Sequence, residues 1–182
     1  MRWTWLDLIL ELERESRCVA IRNVAWAEDV LHDHFDRDAE AGLKADPSMP
    51  NSLVIEGMAQ CAGILVGHAR DFEEKVILAK IGKAKFTGLA ARPGYTIRHT
   101  ATLDRIDTSG ASTTGVVELL DPATGDAHHY ADINLMFSHI DQNRKGLEFP
   151  EHNFVFTQDF ADLLDRSGFP MKNPPQQPVP SG

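Results

Sequence analysis

Glu56 is the side chain best placed by its type and position to do chemistry. It interrupts an otherwise apolar stretch at residues 53–67, together with Gln60 one helical turn later. A carboxyl group among apolar residues is costly to ionise unless it is paired, and a protonated one can serve as a general acid. Gln60 lies on the same helical face and can hydrogen-bond it. The structural alternative is a Glu56 that faces solvent or belongs to an ion pair.

His34 is the second candidate. It stands in the sequence VLHDHF at residues 30–35, directly before a polar segment at residues 36–48. Histidine titrates near neutral pH, so beside a buried acid it is a candidate general base, whereas a lone histidine here would be an ordinary loop residue. His32, His34 and Asp36 occupy alternate positions, the spacing that would place three metal ligands on one face of a strand. The sequence fixes no fourth ligand, however, and we predict no metal site.

The charges are unevenly distributed. The 182 residues carry a net charge of −9, which argues against a protein that binds the phosphate backbone of nucleic acids. Residues 75–99 nevertheless contain no acidic residue and these basic ones: Lys75, Lys80, Lys83, Lys85, Arg92 and Arg98. This segment is either a solvated strand face or a docking surface for an acidic partner or a phosphate-bearing substrate.

One long helix is predicted at residues 51–68, after Met49 and Pro50, with Asn51 or Ser52 as its cap. Apolar residues run all round it, so it should be buried. It also contains three glycines, each of which costs about 1 kcal/mol relative to alanine in a helix. Glycines kept in a helix despite this cost indicate that another part of the protein packs very close to the helix backbone. A curved sheet wrapped around the helix would provide that contact.

Strands are predicted on both sides of this helix, at residues 6–13, 18–24, 75–85, 95–106, 112–120 and 127–139. Turn-forming residues separate them. The predicted fold class is therefore α+β, with a curved antiparallel sheet wrapped around one long central helix.

The C-terminal part differs in composition. Residues 157–168 predict a short helix with Thr157 as N-cap and Gly168 at its end. Residues 170–182 hold five of the ten prolines and predict a disordered tail. We therefore divide the chain into a main domain at 1–140, an extension with a short helix at 141–169, and a Pro-rich tail at 170–182.

The two cysteines, Cys18 and Cys61, fit neither a disulfide scaffold nor a metal-ligand spacing, and this favours a reduced, cytoplasmic setting. Residues 1–13 carry three acidic residues and do not resemble a signal peptide. The apolar stretch at 53–67 is shorter than the roughly 18 residues that a membrane span needs. We expect a protein without a membrane span.

Several ordered motifs resemble those of the 3-hydroxyacyl-acyl-carrier-protein dehydratases of fatty-acid synthesis, which have the hot-dog fold. The motifs are RNVAWAE at residues 22–28 followed by LHDHF at 31–35, MPNSLVIEGMAQ at 49–60, KIGKAKF at 80–86, and RPG at 92–94. The second resembles the family's M-P-G-V-L-x-x-E-A-M-A-Q. The likeness runs from about Leu6 to about Phe137.

By this resemblance His34 matches the catalytic histidine and Glu56 the catalytic acid, with Gln60 in support. Family members pair the histidine of one subunit with the carboxylate of the other, so a homodimer is implied, with or without assembly into a trimer of dimers. The substrate would be a 3-hydroxyacyl thioester on acyl carrier protein, and no cofactor would be needed.

The resemblance also suggests where the substrate would lie. The backbone N–H groups of Asn51 and Ser52 would stabilise negative charge on the thioester oxygen. The acyl chain would run between helix and sheet, past Leu53, Met58 and Phe86. The carrier would dock on Lys80, Lys83, Lys85 and Arg92.

Three departures from the family pattern stand out: a longer segment at 36–48, Asn51 in place of a glycine, and an extension from Asp141 onward without counterpart. Two other functions stay open. A hot-dog acyl thioesterase would use an acid to activate water and would not require His34. A non-catalytic acyl-carrier or lipid-binding module would bind without turnover.

Overall fold

The computed structural model describes residues 3–32, 36–139 and 155–175. Within these ranges it contains one antiparallel sheet of six strands in the order β1-β2-β4-β5-β6-β3. The strands are β1 (Leu8–Glu13), β2 (Arg17–Asn23), β3 (Val76–Phe86), β4 (Thr96–Asp107), β5 (Gly110–Leu120) and β6 (Ala127–His139). The helices are α1 (Asp29–His32), α2 (Asn51–Ala69) and α3 (Gln158–Arg166).

The sheet wraps around α2, which packs against β2, β3, β4, β5 and β6. This confirms the predicted α+β architecture of a sheet around a central helix. By length and composition α2 is apolar enough to cross a membrane, yet 61% of its most apolar window is buried inside the protein. Burial against five strands is the environment of a core helix.

The glycines of α2 have two different roles. A Cβ on Gly57 would lie 2.7 Å from Nε2 of His99, and one on Gly67 would lie 2.5 Å from Cζ of Phe156. These two positions allow the close approach that the sequence predicted. Gly63 differs, because its Cβ would meet only Cε1 of Phe137, at 3.8 Å. At Gly63 a Cβ would make only an ordinary van der Waals contact, so nothing crowds this position.

The start of α2 corrects one prediction. The helix begins at Asn51, Pro50 is its N-cap, and no side chain caps it. Neither Asn51 nor Ser52 is the cap, because both already belong to the first turn. The Asn51 side chain instead accepts a hydrogen bond from the Tyr130 hydroxyl on β6, at 2.8 Å.

The C-terminal helix forms where the sequence predicted it. Thr157 occupies the N-cap position of α3, although its side chain makes no capping hydrogen bond. Gly168, with φ of +86°, follows the helix end. Leu163 and Leu164 on its apolar face are fully buried in the core, so α3 belongs to the same hydrophobic core as the main domain.

Residues 170–175 also contact the body of the protein. Met171 packs against the core, and Nζ of Lys172 lies 3.0 Å from Oδ1 of Asp71. The rest of the predicted disordered tail, residues 176–182, lies outside the described residues.

A buried histidine makes the stability of the fold depend on pH. His99 is 1% exposed, and its Nδ1 has no hydrogen-bond partner among the described residues. Burial lowers the pKa of His99 from 6.5 to about 3. Below pH 6.5 the unfolded chain binds a proton at His99 more readily than the folded protein does. The stability that the neutral, buried His99 allows above pH 6.5 is therefore lost as the pH falls toward the folded-state pKa.

We therefore expect the free energy of unfolding to fall by roughly 1 kcal/mol per pH unit between pH 6.5 and about pH 3 through His99 alone. Urea unfolding of wild type and His99→Gln between pH 7 and pH 4 measures the difference. The exposed His128, changed to Gln, is the matched control and should keep the wild-type slope. A wild-type-minus-H99Q difference that does not change with pH would contradict this assignment.

Candidate active site

Glu56 lies in the second turn of α2 and is half-buried. Its Oε1 accepts hydrogen bonds from Nε2 of Gln60, at 2.9 Å, and from Nε1 of Trp3, at 3.2 Å. The Gln60 contact joins side chains four residues apart on one helical face. Both described donors reach the same oxygen, which leaves Oε2 as the atom that can carry or release a proton.

Gln60 ties the N-terminal segment to α2. It is 7% exposed, its Oε1 accepts from the Trp5 backbone N–H at 2.8 Å, and its Nε2 donates to the Trp3 carbonyl at 2.9 Å. This places Trp3 over Glu56. Sequence reasoning missed Trp3, because it lies 53 residues from Glu56 and no local pattern joins them.

A cavity of about 580 Å³ opens beside Glu56. Its walls come from the N-terminal segment, α2, the sheet and the chain leading into α3. The N-terminal segment, α2 and the sheet supply these residues: Trp3, Thr4, Glu56, Ala59, Gln60, Gly63, Val76, Ile77, Leu78 and Phe137. The chain around the start of α3 supplies the remaining ones: Val155, Phe156, Thr157, Asp159 and Phe160. Most of these side chains are apolar, so the cavity suits an apolar group placed next to a carboxyl group.

The N-terminus of α2 presents backbone amides. The N–H groups of Leu53 and Val54 both donate to the Pro50 carbonyl. Asn51 and Ser52 precede these first helical hydrogen bonds, and both are exposed. Amides at this position, together with the helix dipole, can stabilise negative charge on a bound group.

The predicted histidine, His34, lies outside the described residues, as do the residues on either side of it. The structure describes the chain up to His32, where α1 ends, and Leu31 of this helix is 2% exposed. The buried Leu31 fixes α1 to the core near the end of the described range 3–32. Among the described side chains, no group of three or more His, Cys, Asp or Glu is arranged to hold a metal ion.

The residues predicted to line an acyl tunnel do not line this cavity. Met58 is fully buried on the opposite side of α2, where Gly115 leaves room for its sulfur. The ring of Phe86 packs edge-on against Tyr130, with 5.3 Å between centroids. Leu53 is partly buried against the core. The structure thus brings Glu56 and Gln60 together, and places these three apolar residues elsewhere.

The predicted docking lysines share one face of the sheet. In register, Lys80, Lys83 and Lys85 oppose Met136, Asn134 and Asp132 of β6, whereas the residues between these β6 partners are buried. Residues opposed across an antiparallel pair point to the same face, so the three lysines lie on the outer face, away from α2. Lys83 also pairs with Asp132, at 3.0 Å, and Arg92 is exposed in the turn before β4.

Comparison with known proteins gives the family. The model of the FabA-like domain matches residues 3–119. The chain is 32% identical over 124 residues to a 3-hydroxyacyl-[acyl-carrier-protein] dehydratase FabZ of Fusobacterium nucleatum, covering 67% of this chain and 80% of the relative. It is also 32% identical over 148 residues to the FabZ of Solibacter usitatus, covering 80% of this chain and 82% of the relative.

Solved structures share the fold at lower identity. One is the dehydratase heterocomplex ApeI:P of Xenorhabdus doucetiae, with a TM-score of 0.55 and 17% identity over 76% of this chain and 84% of that one. Another is a mutant acyl-CoA hydrolase of Staphylococcus aureus in complex with coenzyme A, with a TM-score of 0.54 and 18% identity over 75% of this chain and 71% of that one. From its fold, its motifs and these matches, the chain belongs to the FabA-like family of hot-dog domains, together with the 3-hydroxyacyl-acyl-carrier-protein dehydratases.

Proposed function

We propose that the protein dehydrates 3-hydroxyacyl thioesters, carried by acyl carrier protein, to trans-2-enoyl thioesters. The observation that carries the proposal is the Glu56 carboxyl group, fixed at Oε1 by two donors at the edge of an apolar cavity. The FabZ relatives at 32% identity are named dehydratases and support this chemistry over others. It requires no cofactor.

The reaction would need one base and one acid. Neutral His34 takes the proton from the carbon next to the thioester carbonyl, and the electron pair forms the new double bond. Protonated Glu56 gives its Oε2 proton to the 3-hydroxyl group, which leaves as water. Charge that builds on the thioester oxygen is held by the Asn51 and Ser52 amides.

The open edge of the sheet supports a homodimer. β3 is one of the two edge strands, the other being β1, and it is exposed over most of its length. Leu78 and Ile81 oppose buried β6 residues and therefore face the α2 side, yet they are 40% and 45% exposed. Unpaired edges with uncovered apolar side chains are templates for pairing. We propose that β3 pairs with β3 of a second copy, and that in this dimer each Glu56 works with the other subunit's His34, as the resemblance to the family implies. A trimer of such dimers is the larger alternative.

The outer-face lysines would bind the acidic carrier. Charge reversal of both Lys83 and Lys85 to Glu should weaken carrier binding, most strongly at low salt, because surface charges are screened as ionic strength rises. Titration of acyl carrier protein into the variant, followed by calorimetry at low and high salt, measures the loss. Lys44→Glu, in the exposed segment 36–48, is the control. Equal affinity of wild type and the double variant would remove these lysines from the account.

The setting proposed for this reaction is the cytoplasm. Cys18 and Cys61 are both free and buried, and Sγ of Cys61 donates to the Cys18 carbonyl at 3.6 Å. Two causes raise the pKa of the Cys18 thiol: the hydrogen bond with the Cys61 side chain is the larger one, and burial is the second. Thiols held in this way are unreactive core side chains, as expected of a protein in a reducing compartment.

A product assay tests the proposal. Purified protein is incubated with 3-hydroxyacyl thioesters of several chain lengths, and the enoyl thioester, free acid and released thiol are quantified. We expect enoyl thioester and no thiol release. Free acid would instead establish a thioesterase, the alternative favoured by the likeness to acyl-CoA hydrolases. Tight binding without any product would establish a non-catalytic acyl-binding module.

A further inference from the structure

One wall of the Glu56 cavity comes from the chain that enters α3 and from the first turn of α3. Val155, Phe156, Thr157, Asp159 and Phe160, here called the C-terminal wall, supply a third of the lining residues. The family model ends at residue 119, so it includes no part of this wall.

The C-terminal wall is packed against the core of the protein. Phe156 is 3% exposed, sits directly over Gly67, and makes edge-to-face contacts with Phe72 and Phe160, at 4.9 and 6.2 Å between centroids. Behind it, the Ser167 hydroxyl oxygen accepts from the Ile9 backbone N–H of β1, at 3.0 Å. Both an aromatic cluster and a hydrogen bond to the sheet thus fix the position of this wall.

One face of α2 forms the floor of the cavity and extends from Glu56 toward the C-terminal wall. Glu56, Ala59 and Gly63 lie on one face of α2, and the rise from Glu56 to Gly63 is about 10 Å at 1.5 Å per residue. Val76 and Phe137 flank this face from the sheet. A thioester placed at Glu56 and the helix N-terminus would therefore direct its acyl chain along Gly63 and end it against Phe160.

We infer that the C-terminal wall sets the length of acyl chain that the protein accepts, with Phe160 closing the cavity and Gly63 leaving its floor open. This rests on the proposed function, since it takes the acyl thioester as the occupant. One methylene that fits or fails to fit an apolar pocket changes kcat/KM about tenfold or more. The two positions should therefore act in opposite directions.

The test compares variants by the ratio of kcat/KM for long-chain to short-chain 3-hydroxyacyl thioesters. Phe160→Ala opens the end of the cavity and should raise the ratio about tenfold or more, whereas Gly63→Val fills the floor and should lower it by a similar factor. A Cβ at Gly63 would make only an ordinary contact, so the smaller Gly63→Ala should fold, and it should lower the ratio in the same direction if Gly63→Val does not fold. Phe169→Ala, in the same extension but outside the cavity lining, is the matched control with an unchanged ratio.

Failure of this inference and failure of the proposed function give different results. If wild type dehydrates substrate and neither Phe160→Ala nor Gly63→Val changes the ratio, the wall does not set chain length, although the activity stands. If wild type turns over no substrate, the proposed function fails. Calorimetry with saturated acyl-pantetheine thioesters of increasing length then decides: opposite shifts of the preferred length in the two variants support the inference, and equal preferences overturn it.

Discussion

Replacing Glu56 with glutamine is expected to lower kcat by a factor of about 100 to 10,000, the range that a positioned acid or base contributes. Glutamine keeps the shape of the side chain, and its carbonyl oxygen can still accept from Gln60 and Trp3 as Oε1 does now. What it cannot do is release a proton to the leaving hydroxyl. The loss should therefore appear in kcat, with folding unchanged.

Steady-state kinetics with thermal unfolding as a check on the fold measures this effect. Glu73→Gln is the matched control, because Glu73 is exposed beyond the other end of α2 and lines none of the cavity beside Glu56. It should retain wild-type kcat. Activity of Glu56→Gln within a few-fold of wild type would show that Glu56 is not the acid.

Two inactive variants are expected to regain activity when they share one dimer. His34→Ala and Glu56→Gln each remove one group from every site of their homodimers. If each site takes its histidine from one subunit and its acid from the other, the heterodimer contains one site with both groups intact and one with neither. The isolated heterodimer should then have about half of the wild-type activity per dimer, from parents that have almost none.

Differently tagged subunits, purified over both tags in succession, give the heterodimer free of homodimers. A heterodimer of two wild-type subunits carrying the same tags is the control for losses during purification. A heterodimer that forms and stays as inactive as its parents would place both groups in the same subunit.

The elements of this fold were predictable because their signals are local. Strand alternation and turn residues located all six strands, and the all-round apolar pattern of residues 53–67 located the buried helix. Glycine pointed to close packing correctly at Gly57 and Gly67. At Gly63 a Cβ would make only an ordinary contact, with Phe137 of β6, and only the position of that strand reveals this difference.

The contacts that complete the candidate site join residues far apart along the chain, and no local sequence pattern predicts them. The sequence predicted Asn51 or Ser52 as the cap of α2, but neither caps it, and the Asn51 side chain instead accepts a hydrogen bond from the Tyr130 hydroxyl, 79 residues away. Trp3 reaches Glu56 only because Gln60 binds the N-terminal backbone. Phe160 lines the cavity only because α3 folds back onto the main domain. Such tertiary contacts depend on the packing of whole elements, which sequence periodicity does not encode.

The most direct test of the central claim is the structure of the assembled protein with a bound thioether analogue of a 3-hydroxyacyl substrate. The distances to be measured run from the His34 imidazole of one subunit to the analogue, and from the analogue to the Glu56 carboxyl group of the other. The account predicts that both groups lie within hydrogen-bond reach of the same bound molecule, at about 3 Å. An assembly in which the two side chains face separate surfaces, with no cavity joining them, would contradict it.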